Sequence, residues 1–325
     1  MTPEFDLIAR HFTRPVSAAK LGVGDDCALF SWVPGRDVAV STDTLVAGVH
    51  FFVDADAQAL GHKALAVNLS DLAAMGAAPK FVTLALTLPQ IDHQWLAAFA
   101  RGFYDVSNQF GVELIGGDTT RGPLSMTLTV IGEADPNKVL RRDRAHEGDD
   151  VWISGDLGGA SLALRHLRGE IQLSPGEWVI ASDRLHRPLP RVGLGLALRG
   201  LAHAAIDISD GLLADLGHIC ERSMLSATLD WQAIPRSPSL GAMPEQLQMD
   251  CALAGGDDYE LCFAAAPQER AAIEAAGREL SLPLARVGSM QSFTGTGSPV
   301  EVLDASGKKI LMLRTGYDHF AGATA

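Results

Sequence analysis

The stretch that decides the fold runs from Val67 to Pro79 and reads VNLSDLAAMGAAP. Read as a helix from about Gly61, it is apolar on nearly every face, which predicts a buried helix. Asn68 and Asp71 then lie one turn apart on one face. A carboxylate in such surroundings costs several kcal/mol unless a cation or strong donors meet it, so we expect Asp71 to have a partner. The apolar positions are Ala64, Leu65, Val67, Leu69, Leu72, Ala73 and Met75.

Short acidic segments that follow apolar runs offer candidate partners. Taken singly, each is explained by turn or helix-capping chemistry. As a set, most lie where a strand ends or a helix begins, which is where α/β sheets bind ligands. Because almost no Lys or Arg lies within them, they favour a hard divalent cation, Mg2+ before others. The segments are Gly24-Asp25-Asp26, Ser41-Thr42-Asp43, Gly116-Gly117-Asp118, Asp207-Ile208-Ser209-Asp210-Gly211 and Gly255-Gly256-Asp257-Asp258.

Composition excludes several classes of protein. The 325 residues carry 26 Lys and Arg against 39 Asp and Glu, a formal charge of −13, and the basic residues are scattered. That balance argues against a nucleic-acid binder, which needs a basic face. The four cysteines include no C-x-x-C pair, which favours a reduced cytoplasmic protein and makes a zinc site improbable. We expect no signal peptide and no membrane span.

Alternating strand and helix patterns predict an α/β (α+β) fold with two mixed-sheet domains. We expect an N-terminal domain over 1–135, a polar junction over 136–149 and a C-terminal domain over 150–325. In the first domain we predict a short N-terminal helix, a strand after the glycine turn at 21–30, strands at 37–44, 80–88, 113–115 and 124–132, and a helix at 92–110. In the second we predict strands at 150–154, 204–208, 227–229 and 259–264 and near 285, 300 and 310, and helices at 160–167, 178–186, 192–201, 211–221 and 268–280.

Nucleotide-binding signatures of the common kinds are missing from the sequence, so a bound nucleotide would be held through metal ions more than by a lysine loop. The turn from Gly155 to Gly159 could cradle a phosphate on backbone N–H groups, although such turns are more often only tight turns. The Ser-Asp pair at 70 and the Gly-Gly-Asp triplet at 116 both recur 139 residues later, at 209 and 255. This offset suggests the hypothesis of two similarly built halves.

Seven motifs in order resemble the thiamine-monophosphate kinase family, within the superfamily of aminoimidazole-ribonucleotide synthetase. They run from residue 21 to residue 320 and read LGVGDDCA, STDTLVAGVHF, KALAVNLSDLAAMGAAP, GGDTTRG, AIDISDGL, GGDDYEL and GYDHF. The resemblance implies ATP-dependent phosphorylation of thiamine monophosphate to thiamine diphosphate, with several Mg2+ ions. It also implies a homodimer in which the N-terminal sheets pair into a β-barrel.

Site residues follow from the resemblance by motif match. It implies Mg2+ ligands at Asp26, Ser41, Thr42, Asp43, Asp71, Asp118, Asp207 and Asp210. It implies ATP contacts from Gly117, Asp118, Arg142 and Ser209, and thiamine-phosphate contacts from His50, Asp257, Arg314 and Tyr317. The family often has Glu at the position of Asp257 and an aromatic residue at that of Arg314, so Tyr317 and Phe320 are candidates for an aromatic face.

Phosphoryl transfer agrees with this assignment, because it needs positioning and charge neutralisation more than covalent chemistry from the protein. The acceptor is itself a phosphate, mostly dianionic near neutral pH, so we expect no general base and a direct in-line transfer. Two alternatives stay open at this point. One is another ATP-dependent enzyme of the same superfamily, and the other is a non-catalytic metal-binding or scaffold protein.

Overall fold

The computed structural model describes residues 3–20, 22–23, 28, 30–293, 295, 297–312, 314 and 316–317 of the chain. Its contacts divide the chain into two units, the first of Met1–Leu72 and Ala77–Asn137 and the second of Ala73–Gly76 and Lys138–Ala325. Each unit contains one β-sheet, with four strands in the first and seven in the second. The predicted mixed α/β fold with two sheets is therefore confirmed. Over the described residues both sheets are open, so neither closes into a barrel by itself.

In the first unit helices and strands alternate along the chain up to β3, and a last strand, β4, then pairs with β1 and β2. Its sheet has the strand order β1-β4-β2-β3, in which β2 and β3 are parallel and the other neighbours are antiparallel. The elements are α1 (Pro3–His11), β1 (Asp37–Val46), α2 (Ala57–Ala74), β2 (Ala78–Leu88), α3 (His93–Phe110), β3 (Glu113–Arg121) and β4 (Ser125–Ala134).

Helices α2 and α3 cross in backbone contact at two glycines. A Cβ on Gly61 would lie 2.0 Å from the carbonyl oxygen of Phe99, and one on Gly102 would lie 1.8 Å from that of Gln58. The predicted burial of α2 is confirmed for its apolar positions, with one exception. Met75 follows the last residue of the helix and is 36% exposed, so its assignment to the buried helix was wrong.

The sheet of the first unit has one face packed by α2 and an opposite face that is only partly covered. Along β4, alternate side chains are fully buried, beginning with Met126, Leu128 and Val130. Leu72 of α2 lies against this face, 3.1 Å from the position of a Cβ on Gly132. The opposite face carries threonines and, on β1, Val38 and Val40 with 50% and 59% of their surface exposed. Elsewhere on that face Phe81, in the same row as Ile131 and Val40, is 3% exposed and packs with Ala19 and Trp32. Period-two alternation therefore separates a fully packed face from one whose part along β1 is exposed.

The second unit is built on a seven-stranded sheet of order β11-β10-β7-β9-β5-β8-β6, antiparallel except for the pair β7/β10. Strands β5 and β8 are buried along their whole length, so they occupy the middle of the core. The elements are β5 (Asp150–Ser154), α4 (Gly159–Leu167), α5 (Pro175–His186), α6 (Val192–Ala197), β6 (Ala202–Asp207), α7 (Leu212–Ser223), β7 (Leu225–Asp230), α8 (Glu245–Ala254), β8 (Leu261–Ala265), α9 (Arg270–Glu279), β9 (Leu284–Ser292), β10 (Val300–Leu303) and β11 (Lys309–Ile310).

Three cysteines of the second unit, Cys220, Cys251 and Cys262, are free and buried. Burial raises the pKa of the Cys220 thiol to about 12 and that of Cys251 to about 11. These thiols are packing residues, since the reactive form of cysteine is the thiolate. Within the described residues, no helix is both long enough and apolar enough to cross a membrane.

Several sequence predictions need correction. Helix α8 was missed, because its sequence follows a proline-rich segment and has no clear apolar stripe. Strand β3 does not stop before Gly116 but runs through the acidic segment to Arg121. Helix α6 ends at Ala197 and not at residue 201. Most of the strand predicted within 21–30 lies outside the described residues.

The residues that match at the 139-residue offset lie in different local structures. Ser70 and Asp71 are inside helix α2, whereas Ser209 and Asp210 are in the segment between β6 and α7. Gly116 and Gly117 are inside strand β3, whereas Gly255 follows helix α8. The offset therefore gives no support to a duplication of the two halves.

Candidate functional site

Strand β1 and helix α2 bring the first group of predicted ligands together. The Ser41 hydroxyl donates a hydrogen bond of 2.5 Å to Oδ2 of Asp71. One helical turn earlier, Oδ1 of Asn68 accepts a hydrogen bond of 3.2 Å from the backbone N–H of Asp43. The partner that Asp71 needs is thus found on β1. Because Asn68 is fully buried and also donates to the Ala64 carbonyl oxygen at 2.9 Å, α2 holds this edge of β1 in a fixed position.

Thr42 points away from this group. In a strand successive side chains alternate between faces, so Thr42 lies on the face opposite Ser41 and Asp43. Its hydroxyl oxygen is 2.9 Å from that of Thr129, and Thr44 makes the same contact with Thr127 at 2.8 Å. The Thr42 side chain therefore does not join the carboxylate of Asp71.

Gly117 and Asp118 lie next to each other in the edge strand β3, where both are exposed. Gly117 has φ +152°, and a Cβ at this position would lie 1.9 Å from the carbonyl oxygen of Leu84 in β2. Only glycine fits this close approach. Asp118 pairs with Ala85, in the same row as Thr127 and Thr44, so its carboxylate is on the face opposite Asp43.

His50 lies in the turn that follows β1. Its Nδ1 accepts a hydrogen bond of 3.0 Å from the backbone N–H of Val46. An imidazole that accepts at Nδ1 carries its proton on Nε2, so Nε2 is the ring atom that can donate to an anion. The turn thereby selects the tautomer suited to phosphate binding.

In the second unit, the segment from Asp207 to Gly211 joins β6 to α7. Asp207 ends β6 with 4% of its surface exposed, and Ser209 and Asp210 follow it in the loop. The loop is held by Asp215, in the first turn of α7. Its Oδ2 accepts hydrogen bonds of 3.0 Å from the backbone N–H groups of Ser209, Asp210 and Gly211.

A second loop, from Gly255 to Glu260, packs against the first. Backbone N–H groups of Asp257 and Tyr259 donate to the carbonyl oxygens of Ser209 and Ile208 at 2.9 and 2.8 Å. The backbone φ angles of Asp257 and Tyr259 are +69° and +51°, values that residues other than glycine seldom adopt. Strain of this kind concentrates at functional sites, where the surrounding contacts enforce it. The Tyr259 hydroxyl also donates to Oδ1 of Asp257 at 3.0 Å, which orients that carboxylate.

The C-terminal segment reaches the same loop. The backbone N–H of Tyr317 donates to the carbonyl oxygen of Asp210 at 2.9 Å, and the Tyr317 side chain is 51% exposed. Arg314 is exposed, as is Arg142, whose carbonyl oxygen accepts a hydrogen bond of 2.8 Å from the Ser223 hydroxyl. The two remaining predicted positions, Asp26 and Phe320, lie outside the described residues.

The glycine-rich turn at 155–159 makes its contacts with carboxylates of the same unit. Both carboxylate oxygens of Asp258 accept from the Gly158 N–H, at 3.0 and 2.9 Å, and burial raises the pKa of Asp258. A Cβ on Gly155 would lie 2.1 Å from Oε1 of Glu260. The tight-turn interpretation is thus favoured over a phosphate cradle.

An ion-pair network centred on the buried Glu260 carboxylate lies next to this turn. Arg191 grips the carboxylate of Glu260 with Nε at 2.6 Å from Oε2 and with a second contact from Nη2. Ser154 donates to Oε2 of the same glutamate at 2.5 Å, and Arg184 pairs with Asp156 at 2.6 Å. Sequence reasoning missed this network and Asp215, because its members are far apart in the chain or resemble ordinary first-turn acids.

Mg2+ prefers oxygen ligands, above all carboxylates. The predicted residues that offer such oxygens are Ser41, Asp43 and Asp71 in the first unit and Asp207 and Asp210 in the second. Within either unit, however, the described predicted aspartates do not form a set of three with all ligand atoms within 4.8 Å of one another. The structure brings them together in pairs and loops: Ser41 with Asp71, and Ser209 and Asp210 with Asp257 and Tyr317.

Comparisons with known proteins find similarity over nearly the whole chain. Residues 24–134 match the family model "AIR synthase related protein, N-terminal domain", and residues 146–296 match "AIR synthase related protein, C-terminal domain". The chain is 44% identical over 330 residues to thiamine-monophosphate kinase of Escherichia coli (strain K12), covering 98% of each chain.

Two solved structures are similar to this chain. One is the crystal structure of thiamine-monophosphate kinase from Stenotrophomonas maltophilia K279a, with 46% identity, a TM-score of 0.84 and coverage of 94% of this chain and 96% of that one. The other is AaThiL complexed with AMPPCP and TMP, with 27% identity, a TM-score of 0.76 and coverage of 97% and 96%. The similarity therefore covers both units.

Proposed function

The chain belongs to the thiamine-monophosphate kinase family, and from that premise we propose how it phosphorylates thiamine monophosphate with ATP. Its relative AaThiL was solved with AMPPCP, an unreactive ATP analogue, and with TMP, which supports these two substrates. The product is thiamine diphosphate. We propose that the γ-phosphoryl group passes directly, in line, from ATP to the acceptor phosphate.

Charge is the main obstacle to this reaction. Two anions must meet on a protein with a formal charge of −13, and the acceptor phosphate is already deprotonated near neutral pH. No general base is needed, because the nucleophile is an oxyanion. The side chains of this chain therefore act by holding cations and by fixing the two substrates in line.

Mg2+ ions, when bound, supply the charge neutralisation that lets donor and acceptor oxygens approach. We propose that Ser41, Asp43 and Asp71 hold them in the first unit and Asp207 and Asp210 in the second. The family resemblance adds Asp26, Thr42 and Asp118, of which Thr42 and Asp118 would contribute from the opposite face of the first sheet. The observation that carries this proposal is the 2.5 Å hydrogen bond from Ser41 to Asp71, which sets a carboxylate of a largely apolar helix against the polar edge of β1. The Ser41 hydroxyl is a neutral donor, and a bound cation would in addition neutralise the charge of this carboxylate.

The substrate contacts are proposed from the loops around Asp210. Asp257, held in a left-handed conformation and oriented by Tyr259, offers a negative charge to the cationic thiazolium ring, and the exposed Tyr317 offers an aromatic face. Arg314 is a further candidate. His50 would donate from Nε2 to the substrate phosphate. For ATP, we propose contacts from Gly117, Asp118, Arg142 and Ser209.

We also propose that two copies of the chain pair through the partly covered face of the first sheet. Val38 and Val40 expose half or more of their surface there, which is costly for a strand that faces water. A second copy laid on this face would bury them and would form the β-barrel expected from the family resemblance.

Transfer of label from γ-labelled ATP to thiamine monophosphate tests the function. We expect thiamine diphosphate as the product, loss of turnover in excess chelator, and restoration by Mg2+. Asp71→Asn and Asp210→Asn should abolish turnover while circular dichroism stays unchanged, and Asp54→Asn, an exposed loop residue, is the matched control. Near-normal turnover in either site variant would remove that residue from the metal set.

Two further measurements address the mechanism and the alternatives. A trapped aspartyl-phosphate, or retention of configuration at a chiral γ-phosphate, would contradict direct transfer. Labelling of another acceptor in preference to thiamine monophosphate would favour a different enzyme of the superfamily. Binding of Mg2+ without any transfer would favour a non-catalytic metal-binding protein.

A further inference from the structure

Two histidines and an aspartate of the second unit form a cluster that the kinase reaction does not use. His146, Asp149 and His203 each offer one ligand atom, and these atoms all lie within 4.8 Å of one another. The Nδ1 of His203 is 3.0 and 2.9 Å from the two carboxylate oxygens of Asp149. The imidazole rings of His146 and His203 lie 4.2 Å apart between centroids, tilted by 56°. We call these three residues the His-Asp-His cluster.

The carboxylate of the cluster is rigidly placed. Asp149 is 2% exposed and immediately precedes strand β5. Its Oδ2 accepts a hydrogen bond of 2.8 Å from the backbone N–H of His146, and its backbone N–H donates to the His146 carbonyl oxygen at 3.1 Å. Gly148, with φ +87°, closes this tight turn. The spacing of three residues therefore brings His146 and Asp149 to the same point by local geometry.

The third member is directed to the same point by an irregularity in the sheet. The ladder between β6 and β8 shifts register between Ala202 and Ala204, so His203 is the extra residue of a β-bulge. Bulges redirect a side chain and are common at functional positions. His203 is about one-third exposed at its side chain and His146 is exposed, so an ion can reach the cluster from solvent.

The donor set selects a class of ion. Two imidazole nitrogens and one carboxylate suit Zn2+, Co2+ or Ni2+, whereas Mg2+ prefers oxygen alone. In a tetrahedral zinc site with bonds of about 2.0 Å, ligand atoms are roughly 3.3 Å apart. The distances from His203 Nδ1 to the Asp149 oxygens, 3.0 and 2.9 Å, are slightly shorter than this, and all three ligand atoms lie within 4.8 Å of one another, so small side-chain shifts would bring them to this spacing. A buried carboxylate beside two imidazoles also supplies the negative charge that such an ion needs.

From these contacts we propose that His146, Asp149 and His203 bind one divalent transition-metal ion, with Zn2+ as the preferred species. Three protein ligands leave the fourth position to water or to an anion. The ion would link the segment before β5 to strand β6, and so would stabilise the second unit. This site is separate from the oxygen ligands proposed for Mg2+ and does not depend on the proposed kinase function.

Titration of the full-length, metal-stripped protein tests the proposal. Zn2+ is added under calorimetric detection, with Mg2+ in large excess so that oxygen-only sites are occupied. We expect one tight Zn2+ equivalent per chain and an increase in melting temperature. Co2+ should give an intense visible absorption band, because four-coordinate Co2+ with nitrogen ligands absorbs far more strongly than six-coordinate Co2+ in an oxygen site.

The variants separate this cluster from other histidines. His146→Ala alters an exposed side chain and His203→Gln a half-buried one, and each should weaken Zn2+ binding by at least about 10-fold and remove the Co2+ band. His93→Gln is the control, because His93 and His11 form a second pair with ring nitrogens 3.1 Å apart. The proposal is overturned if wild-type protein shows no Mg2+-resistant Zn2+ site, or if His146→Ala binds Zn2+ as wild type does while His93→Gln loses it.

Discussion

At the scale of single residues, Asp215 organises a loop of the proposed site through one oxygen atom. Its Oδ2 accepts from three consecutive backbone N–H groups, those of Ser209, Asp210 and Gly211. Among these residues, Ser209 is a proposed ATP contact and Asp210 a proposed Mg2+ ligand. Asp215 itself is 3% exposed, so its role is to position the loop and not to touch the substrates.

Removing the acceptor oxygen should therefore reduce activity without a change of fold. We expect Asp215→Ala to lower kcat about 10- to 100-fold, because small displacements of reacting groups have effects of that size. Asp215→Asn keeps an acceptor and should retain most of the activity. Steady-state kinetics of both variants, with circular dichroism as the check on folding, measures this. Equal activity in Asp215→Ala and wild type would show that the loop is held by other contacts.

The protonation of Asp215 also affects stability. Burial, with a further contribution from the negative charge of Asp210, raises the pKa of Asp215 to about 7. Because the folded state then holds a proton that the unfolded state releases near pH 4, the free energy of unfolding should fall as pH rises from about 4 to about 7. Asp215→Asn cannot ionise and should lack this fall. Urea unfolding of both proteins across pH 4 to 8 gives the difference, and parallel curves would contradict the raised pKa.

At the scale of secondary-structure elements, two close backbone approaches position the first half of the site. Helices α2 and α3 cross in backbone contact at Gly61 and Gly102, and α2 also carries Asn68 and Asp71, which bond to β1. Strand β3 approaches β2 at Gly117, where no Cβ fits beside the carbonyl oxygen of Leu84. The acidic segment at 116–118 is therefore a strand with a steric requirement, and not only a turn.

The pair Gly116 and Gly117 offers a matched test of this requirement. Gly117→Ala should lower the free energy of unfolding by about 2–4 kcal/mol, since it adds a backbone clash to a disfavoured φ. Gly116→Ala meets no atom within 4 Å and should change stability by less than about 0.5 kcal/mol. Urea denaturation of both variants makes the comparison. Similar losses in the two would mean that β2 and β3 can separate at little cost.

At the scale of the whole molecule, the partly covered face of the first sheet is the feature that a single chain leaves unfinished. Where this face meets β2, Phe81 and Ile131 pack with Ala19 and Trp32 of the same chain. Its part along β1 is uncovered in the single chain and carries the paired hydroxyl groups of Thr42, Thr44, Thr127 and Thr129 and the exposed side chains of Val38 and Val40. An exposed strand that carries valines invites association with another surface. A second copy of the chain is the occupant we propose.

A charge on this face should separate the two copies. Val40→Glu would place a carboxylate in the contact, and we expect the protein to sediment as a monomer with reduced kinase activity. Val53→Glu, at a loop residue that is 76% exposed, is the control and should leave the association unchanged. Analytical ultracentrifugation over a concentration series reports the outcome. A Val40→Glu protein that stays dimeric would place the contact elsewhere.

Much of this protein could be predicted from local patterns. Apolar periodicity identified α2, α3 and most strands of both sheets, because burial of one face or of a whole element is recorded in the spacing of apolar residues. Ordered motifs identified the family, which the comparisons confirmed. The pairing of Asn68 and Asp71 on one helical face was also predictable, since it follows from 3.6 residues per turn.

Other features required the tertiary structure, because they depend on contacts between residues distant in sequence. The pairing of β3 with β2, and of β2 with β4 and β1, places Asp118 on the face opposite Asp43. Helix α8 has no clear apolar stripe from which it could be predicted. The His-Asp-His cluster spans 57 residues and forms only because a bulge redirects His203. Local sequence determined most of the helices and strands, because burial is recorded in apolar spacing, whereas strand pairing and packing decided which side chains meet, because those contacts join residues far apart in the chain.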